Sequence, residues 1–227
     1  MPGENQMSGG TKMLMYDAVL FDVDGTLLHS RPGICDTFAY AFRAMGIDPD
    51  KIDLSRYLGP PLRQSFAEHF RSEADVEKAV TLYRTRYAQR GMHMCTPFPG
   101  VVEMLNTLQA AGILMATATS KPTAVVTPIL QEQNLGSYFF RIGGASLDKS
   151  IDTKTAVIHS VLQDPRLQGK RVLMVGDRRD DMEGASSCGI DAAGVLYGYG
   201  SREELAAWNP VTLALDCAAL TDFILRT

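Results

Sequence analysis

Two aspartates that could perform chemistry, Asp22 and Asp24, stand one residue apart directly after an apolar run. The run Ala18–Phe21 is β-prone and lacks helical periodicity, as expected of a strand buried on both faces of a parallel sheet. Carboxylates at the end of such a strand are costly without a cation or several hydrogen bonds. A divalent metal ion is their natural partner. Gly25 permits a sharp turn after them, and the Thr26 hydroxyl is expected to tie that turn back onto itself.

A lone Asp-x-Asp-Gly sequence is more often a structural turn than a catalytic site, so further stretches must decide. The predicted strand 171–175, which is apolar after Arg171, is followed by Gly176 and Asp177, and Asp181 comes four residues after Asp177. If a helix begins between them, this spacing brings Asp181 back toward the same side as Asp177. The pair then supplies further metal ligands. The free N–H groups at the start of that helix can also hold a phosphate or a carboxylate.

Groups suited to phosphate follow two other predicted elements. A predicted strand ends at Thr119, Ser120 and Lys121, and a helix is expected to begin at Thr123. Hydroxyls and turn amides at such a junction suit a phosphate oxygen. Lys154 stands at the start of a stretch with helical apolar periodicity. Between the third and fourth predicted strands, no other basic residue stands at the start of a comparable element.

The elements around these residues predict an α/β fold. We expect strands at 18–21, 113–118, 139–142, 171–175 and 211–215, with helices between them and a last helix at 220–225. This alternation is typical of a doubly wound, Rossmann-like parallel sheet that is covered by helices on both faces. Pro128 cannot donate a backbone hydrogen bond, so the helix that contains it is expected to start late or bend.

Between the first two of these strands the chain is predicted to be helical throughout. One apolar stripe there is formed by Val76, Val80, Tyr83 and Tyr87 at helical spacing. We therefore divide the chain into a flexible N-terminal lead of residues 1–13, an α/β core of residues 14–29 and 99–227, and an inserted small helical cap of residues 30–98.

Composition narrows the class of protein. With 227 residues, 45% of them hydrophobic and 21% charged, the chain can form one globular domain with an insertion. A net charge of −4 argues against a nucleic-acid partner. No apolar stretch approaches the roughly 20 residues of a membrane span, and the four cysteines lack the spacing of a zinc or disulfide site. We expect a cytoplasmic protein that acts on a small molecule. Its oligomeric state is open.

Taken together, these motifs resemble those of the haloacid dehalogenase-like hydrolases, in the phosphatase branch with a small helical cap after the first motif. Residues 22–26 resemble the first motif, residues 119–122 the second, Lys154 the third, with Lys149 as a weaker alternative, and Asp177 with Asp181 the fourth. Residues 58–62, 98–101 and 118–122 are similar to those of phosphoglycolate phosphatases and bacterial 5′-nucleotidases.

The resemblance implies a phosphatase that uses Mg²⁺ to hydrolyse a small phosphate monoester, either phosphoglycolate-like or a nucleoside 5′-monophosphate. It implies that Asp22 is the nucleophile of an aspartyl-phosphate mechanism and Asp24 its general acid and base. Thr119 and Lys154 complete the implied catalytic set by neutralising phosphoryl oxygens. The implied metal ligands are Asp22, Asp24, Asp177 and Asp181, and the implied substrate-binding residues are Gly25, Thr26, Ser120, Lys121 and Arg63.

Several alternatives are open. A dehalogenase of the same family works without metal and is expected to lack the carboxylate of Asp24. A sugar phosphomutase can share all four motifs, although the Gly-Pro-Pro sequence at 59–61 favours the phosphatases. A non-catalytic binding protein is disfavoured because every catalytic position keeps a competent side chain. Arg63, just after that sequence, could bind a second anionic group of the substrate or be a solvated helix charge.

Overall fold

The structure is a computed structural model that describes residues 14–148 and 150–226. The predicted lead of residues 1–13 and the alternative residue Lys149 lie outside the described residues. The described strands are β1 Ala18–Phe21, β2 Leu28–His29, β3 Thr96–Pro97, β4 Leu114–Pro122, β5 Arg141–Ala145, β6 Val172–Gly176, β7 Asp191–Val195 and β8 Thr212–Ala214. The described helices are α1 Arg31–Ala44, α2 Leu62–Ala67, α3 Glu73–Gln89, α4 Val101–Ala110, α5 Thr123–Glu132, α6 Lys154–Leu162, α7 Arg179–Ser187, α8 Arg202–Ala206 and α9 Cys217–Ile224.

Within this part of the chain, six strands form one parallel sheet in the order β5-β4-β1-β6-β7-β8. The first strand therefore lies inside the sheet, and the chain builds outward from it to one side and then to the other. The predicted doubly wound, Rossmann-like sheet is confirmed. In such sheets ligands bind beyond the carboxyl ends of the strands, near the point where the strand order reverses.

The side chains of β1 divide the core into two layers. Val19 and Phe21 pack on one face with α4, α5 and α9, whereas Ala18 and Leu20 pack on the other face with α6 and α7. Successive side chains of a strand point to opposite faces, so a strand covered on both sides must be apolar at every position. This packing explains the unbroken apolar run that precedes Asp22 in the sequence.

The helices between β2 and β3 form a block with an aromatic core, which we call the helical insertion (residues 31–95). Phe38 lies at its centre, with ring centroids 4.7 Å from Tyr83 and 5.1 Å from Phe66. The cluster is continuous with the sheet layer around Phe21, so the insertion is docked on the core by apolar contact. The described helices of this block lie inside the boundaries predicted for the cap.

Two short connections join the insertion to the core. β2 and β3 pair antiparallel, with Leu28 opposite Pro97 and His29 opposite Thr96. These two-residue strands were not predicted, because two residues are too few to show alternation.

Two strands of the main sheet depart from the sequence prediction. The strand β7 was missed because its sequence, Asp-Ala-Ala-Gly-Val, carries a single β-branched residue. The strand β5 was placed too early, at 139–142, because Phe139 and Phe140 are apolar while the observed strand contains Gly143 and Gly144. Glycine weakens the signal of a strand without preventing the backbone from pairing.

The helix α5 also differs from expectation. It begins at Thr123 and runs through Pro128, so the expected late start is wrong. The hydroxyl of Thr127 donates to the Thr123 carbonyl oxygen at 2.8 Å in the turn where the proline provides no N–H. As for membrane insertion, none of the helices among the described residues combines the length and the apolar character that a bilayer span needs.

Candidate active site

The four sequence stretches predicted to carry chemistry meet at the carboxyl edge of the sheet. In the register of the sheet, Phe21 of β1 lies beside Thr117 of β4 and Val175 of β6. The residues that follow each strand are therefore neighbours, and the Asp22 amide donates to the Val175 carbonyl oxygen at 2.9 Å. The start of α6 brings Lys154 to the same edge.

Three buried aspartates form the centre of the site. One carboxylate oxygen from each of Asp22, Asp177 and Asp181 lies within 4.8 Å of the others. The Thr26 hydroxyl donates to Asp177 Oδ1 at 3.3 Å instead of bonding within its own turn, so that expectation is wrong. The turn holds without it, because the Gly25 amide donates to the Leu28 carbonyl oxygen at 3.0 Å. Together with Lys154 we call these three aspartates the carboxylate cluster.

The ammonium of Lys154 balances part of this charge. Its Nζ lies 2.7 Å from Asp22 Oδ1, 2.7 Å from Asp181 Oδ1 and 2.9 Å from the Ala118 carbonyl oxygen. Thr153 caps the helix that Lys154 begins by accepting from the Ala156 amide at 3.1 Å. Burial disfavours the charged lysine, but the two carboxylates outweigh burial and raise the pKa of Lys154 above its ordinary value.

The carboxylate cluster fits a divalent metal ion. When all three carboxyl groups are ionised, the single ammonium of Lys154 leaves two negative charges unbalanced in a buried space. Burial and the charges of Asp181 and Asp22 raise the pKa of Asp177 well above its ordinary value, which is the effect expected of carboxylates crowded together in a low-polarity site. Carboxylate oxygens are the ligands that hard divalent cations prefer. Gly25, with φ of +89°, lets the backbone approach so closely that a Cβ there would overlap the Asp177 carboxylate.

Asp24 lies in a different setting from Asp22. Both of its carboxylate oxygens are 2.8 Å from Nζ of Lys121. The same ammonium donates to the Tyr87 hydroxyl at 2.7 Å and lies 4.9 Å from the centre of the Tyr87 ring. Burial disfavours the charged lysine, but Asp24 and Tyr87 together raise the pKa of Lys121 above its ordinary value. The Asp24 carboxylate thus faces the helical insertion, whereas the carboxylate cluster lies within the core.

The remaining predicted site residues are divided between this edge and the surface. Thr119 is buried, and its hydroxyl accepts from the Lys121 amide at 3.3 Å, whereas Ser120 is exposed. Arg63 does not join them. Its guanidinium is paired with Glu73 at 3.0 Å and with Glu77, both in α3 of the helical insertion.

Comparison with known proteins identifies the family. The model of the haloacid dehalogenase-like hydrolase family matches residues 19–195. This chain belongs to the haloacid dehalogenase-like hydrolases. The resemblance inferred from the four motifs is therefore confirmed.

Relatives in this hydrolase family carry several names. A 5′-nucleotidase of Pseudomonas aeruginosa is 37% identical over 209 residues, which cover 91% of this chain and 95% of that protein. A phosphoglycolate phosphatase of Vibrio parahaemolyticus is 28% identical over 216 residues, which cover 91% of this chain and 95% of that protein. The structure of Protein Tyrosine Kinase A (PtkA) of Mycobacterium tuberculosis superposes with a TM-score of 0.81 at 33% identity, covering 92% of this chain and 98% of that chain. This hydrolase spans 64% of the length of the full PtkA protein.

In this haloacid dehalogenase-like hydrolase, the loop after β7 supports the carboxylate cluster and was not identified from the sequence. The Tyr199 amide donates to Asp177 Oδ2 at 2.7 Å, and its hydroxyl accepts from the Arg31 amide at the start of α1 at 2.9 Å. Gly198 lies so close that a Cβ would overlap Asp177. The Tyr-Gly-Tyr-Gly sequence at 197–200 was the available signal, but it has meaning only after a strand that was itself missed.

A second contact between the core of the hydrolase and its helical insertion involves Arg178. Its guanidinium donates to the Leu58 carbonyl oxygen and, through Nε, to Glu204 Oε1 at 3.0 Å. Gly59 has φ of +110°, and a Cβ there would lie 2.9 Å from Nη1 of Arg178. Leu58, the residue before the Gly-Pro-Pro sequence at 59–61, is therefore held directly by Arg178, the residue after Asp177.

Proposed function

We propose that this chain is a Mg²⁺-dependent phosphatase that hydrolyses a small phosphate monoester through an aspartyl-phosphate on Asp22. The observation that carries the proposal is the carboxylate cluster, in which Lys154 lies between the nucleophile Asp22 and Asp181. Membership of the hydrolase family and relatives named 5′-nucleotidase and phosphoglycolate phosphatase support a phosphate ester as substrate.

Asp22 forms the covalent bond in this proposal. Its Oδ1 accepts from Lys154, and within the described residues its Oδ2 has no hydrogen-bond partner and is available to attack phosphorus. The bond from Oδ2 to phosphorus forms as the ester bond from phosphorus to the leaving oxygen breaks. Water then attacks the phosphoryl group, which releases free phosphate and restores the Asp22 carboxylate.

Asp24 moves the protons in both steps. In its protonated form it gives its proton to the leaving alkoxide, and the carboxylate so formed then regains a proton from the attacking water, a double use that typically contributes about 10²–10⁴-fold in rate. Lys121 holds both Asp24 oxygens at 2.8 Å in the present arrangement. The proton donor is therefore positioned by a residue of the phosphate-binding stretch at the end of β4.

Charge on the phosphoryl group is balanced by groups from three elements. Thr119, the turn amides near it and Lys154 neutralise the phosphoryl oxygens, which is the dominant electrostatic task in phosphoryl transfer. Gly25, Thr26 and Ser120 belong to the two turns that border this space. Asp22, Asp177 and the Asp24 carbonyl oxygen would hold Mg²⁺ with the support of Asp181, and the ion would supply further charge neutralisation.

The helical insertion selects the leaving group in this proposal and serves as the cap predicted for residues 30–98. Lys121 is a candidate substrate contact, because its ammonium lies between Asp24 of the core and Tyr87 of the insertion. Arg63 is the weaker candidate, because Glu73 and Glu77 already pair its charge. The cytoplasmic location expected from the sequence stays a prediction.

The decisive experiment measures free phosphate with a panel of esters that includes phosphoglycolate and nucleoside 5′-monophosphates, with and without Mg²⁺. We expect free phosphate in proportion to substrate lost. Isomerisation of a hexose phosphate that needs a bisphosphate activator would instead establish the mutase alternative. Phosphate transferred to protein tyrosine, the activity named for PtkA, would leave labelled protein in place of free phosphate.

A further inference from the structure

The contacts of Tyr87 connect the helical insertion to the proposed acid and base of the reaction. Tyr87 lies in the last turn of α3, and its hydroxyl is 2.7 Å from Nζ of Lys121. That ammonium contacts both Asp24 oxygens at 2.8 Å. An unbroken series of polar contacts therefore runs from the insertion to Asp24. We call Tyr87, Lys121 and Asp24 the positioning chain.

We propose that Tyr87 is a positioning residue that acts through Lys121 to fix the Asp24 carboxylate only while the helical insertion is docked on the core. The proposal rests on the proposed function, in which Asp24 protonates the leaving group. It adds that proton transfer depends on where α3 lies, although no residue of α3 takes part in the chemistry.

The ring of Tyr87 is held rigidly enough to act in this way. It stacks on Tyr83 with centroids 5.7 Å apart and an angle of 7° between the planes. Both rings are buried in the aromatic core of the insertion. Because an aromatic side chain has only two rotatable bonds, packing on one face and a hydrogen bond at the tip leave Tyr87 little freedom. Movement of α3 must therefore move the phenol away from Lys121.

Asp24 needs such a support more than the carboxylates of the cluster do. Its side chain is 22% exposed, compared with 9% for Asp22 and 1% for Asp181. Within the described residues, no basic side chain other than Lys121 lies within ion-pair distance of Asp24. Without a fixed ammonium, the carboxylate is free to turn toward solvent and away from the leaving oxygen.

The test compares Tyr87→Phe with Tyr83→Phe on two classes of ester. Tyr87→Phe keeps the ring and removes the hydroxyl that contacts Lys121. For alkyl phosphates we expect kcat/KM, which reports the steps up to the aspartyl-phosphate, to fall about tenfold, the size of a lost hydrogen bond to a charged group. For 4-nitrophenyl phosphate we expect kcat/KM to fall by less than about twofold, because this leaving group needs little protonation.

Tyr83→Phe is the matched control, because it makes the same chemical change one turn away in the stacked partner. The Tyr83 hydroxyl makes no hydrogen bond among the described residues, so we expect kcat/KM to be unchanged for both ester classes. Equal losses of kcat/KM on alkyl and aryl esters in Tyr87→Phe would overturn the inference. So would a control variant with the same selective loss on alkyl esters.

A second measurement needs no substrate. The shift in the urea midpoint of unfolding that Tyr87→Phe causes is measured in the wild-type chain and in a chain that already carries Lys121→Met. We expect a smaller shift in the Lys121→Met chain, because the phenol has already lost its charged partner there. Equal shifts would show that the two residues do not interact and would overturn the inference. Failure of the proposed function would appear differently, as wild-type enzyme that releases no phosphate from any ester.

Discussion

Two lysines, buried Lys154 and partly buried Lys121, lie at the site in different regions of the molecule. Among the described residues, the polar partners of Lys154 all belong to the α/β core, where the sheet register fixes the ends of β1, β4 and β6. Lys121 joins the end of β4 to the helical insertion through Tyr87. The carboxylate cluster is therefore complete within the core, whereas the positioning chain exists only when the insertion is docked. In the proposed mechanism, this difference separates the nucleophile and the metal ligands from the group that moves protons.

The largest effect is expected for Asp22→Asn, which removes the proposed nucleophile from the carboxylate cluster. Turnover should be abolished, and mass spectrometry of a quenched wild-type reaction should find a phosphate adduct on Asp22 that the variant lacks. Asp180→Asn is the matched control, because Asp180 is an exposed carboxylate of the same helix start as Asp181. Near-normal turnover of Asp22→Asn, or an adduct on another residue, would contradict the mechanism.

Metal removal should show that the two regions differ. Excess chelator should abolish phosphate release and Mg²⁺ should restore it, whereas Ca²⁺ should inhibit because its coordination is looser and higher in number. Mg²⁺ should also raise the Tm of the wild-type protein by binding the folded state, and Asp177→Asn should lose this shift. Asp24→Asn should keep the shift, since its side chain lies outside the cluster. Full turnover in chelator would rule out the proposed metal role.

Asp24→Asn tests the region that faces the insertion. Turnover of alkyl phosphates should fall by roughly 10²–10⁴-fold, while aryl phosphates with good leaving groups should be affected less. The nucleophile and the carboxylate cluster stay intact, so a phosphate adduct on Asp22 should still form. Loss of the adduct together with equal effects on both ester classes would show that Asp24 and Asp22 do not have separate roles.

The two lysines should also differ in their effect on stability. In chelator, Lys154→Met leaves the buried carboxylates without their cation, and we expect it to lower the free energy of unfolding by about 3–5 kcal/mol. Lys121→Met should cost less, because Asp24 is partly exposed and water can solvate it. Urea denaturation measures both changes. A larger loss for Lys121→Met would reverse the comparison between the two regions.

The smallest effect is expected for Arg63→Gln. Its ion pairs with Glu73 and Glu77 lie at the surface, where such pairs contribute up to about 1 kcal/mol. We expect kcat and KM to be nearly unchanged. A selective rise of KM for phosphoglycolate over a substrate with a single anionic group would instead support the substrate-binding alternative for Arg63.

The sequence predicts the carboxylate cluster better than the positioning chain, for a physical reason. Asp22, Asp177 and Lys154 each stand at the end or start of a strongly apolar element, and parallel strands bring such ends to one edge. Tyr87 belongs to an apolar stripe, and its periodicity predicts burial without indicating that its hydroxyl reaches Lys121. Tyr199 could not be placed because its loop follows β7, whose small residues give little strand signal.

The pairing of β2 with β3 has a consequence for how this molecule can be altered. The chain leaves the core at His29 and returns at Thr96, and paired residues of antiparallel strands lie about 4.5–5.5 Å apart. A gap of that size can be closed by a tight turn or by a different insert without shifting the sheet. The junction is therefore a natural graft point, at which an engineered chimera can exchange the whole insertion while the carboxylate cluster keeps its geometry and the positioning chain loses Tyr87.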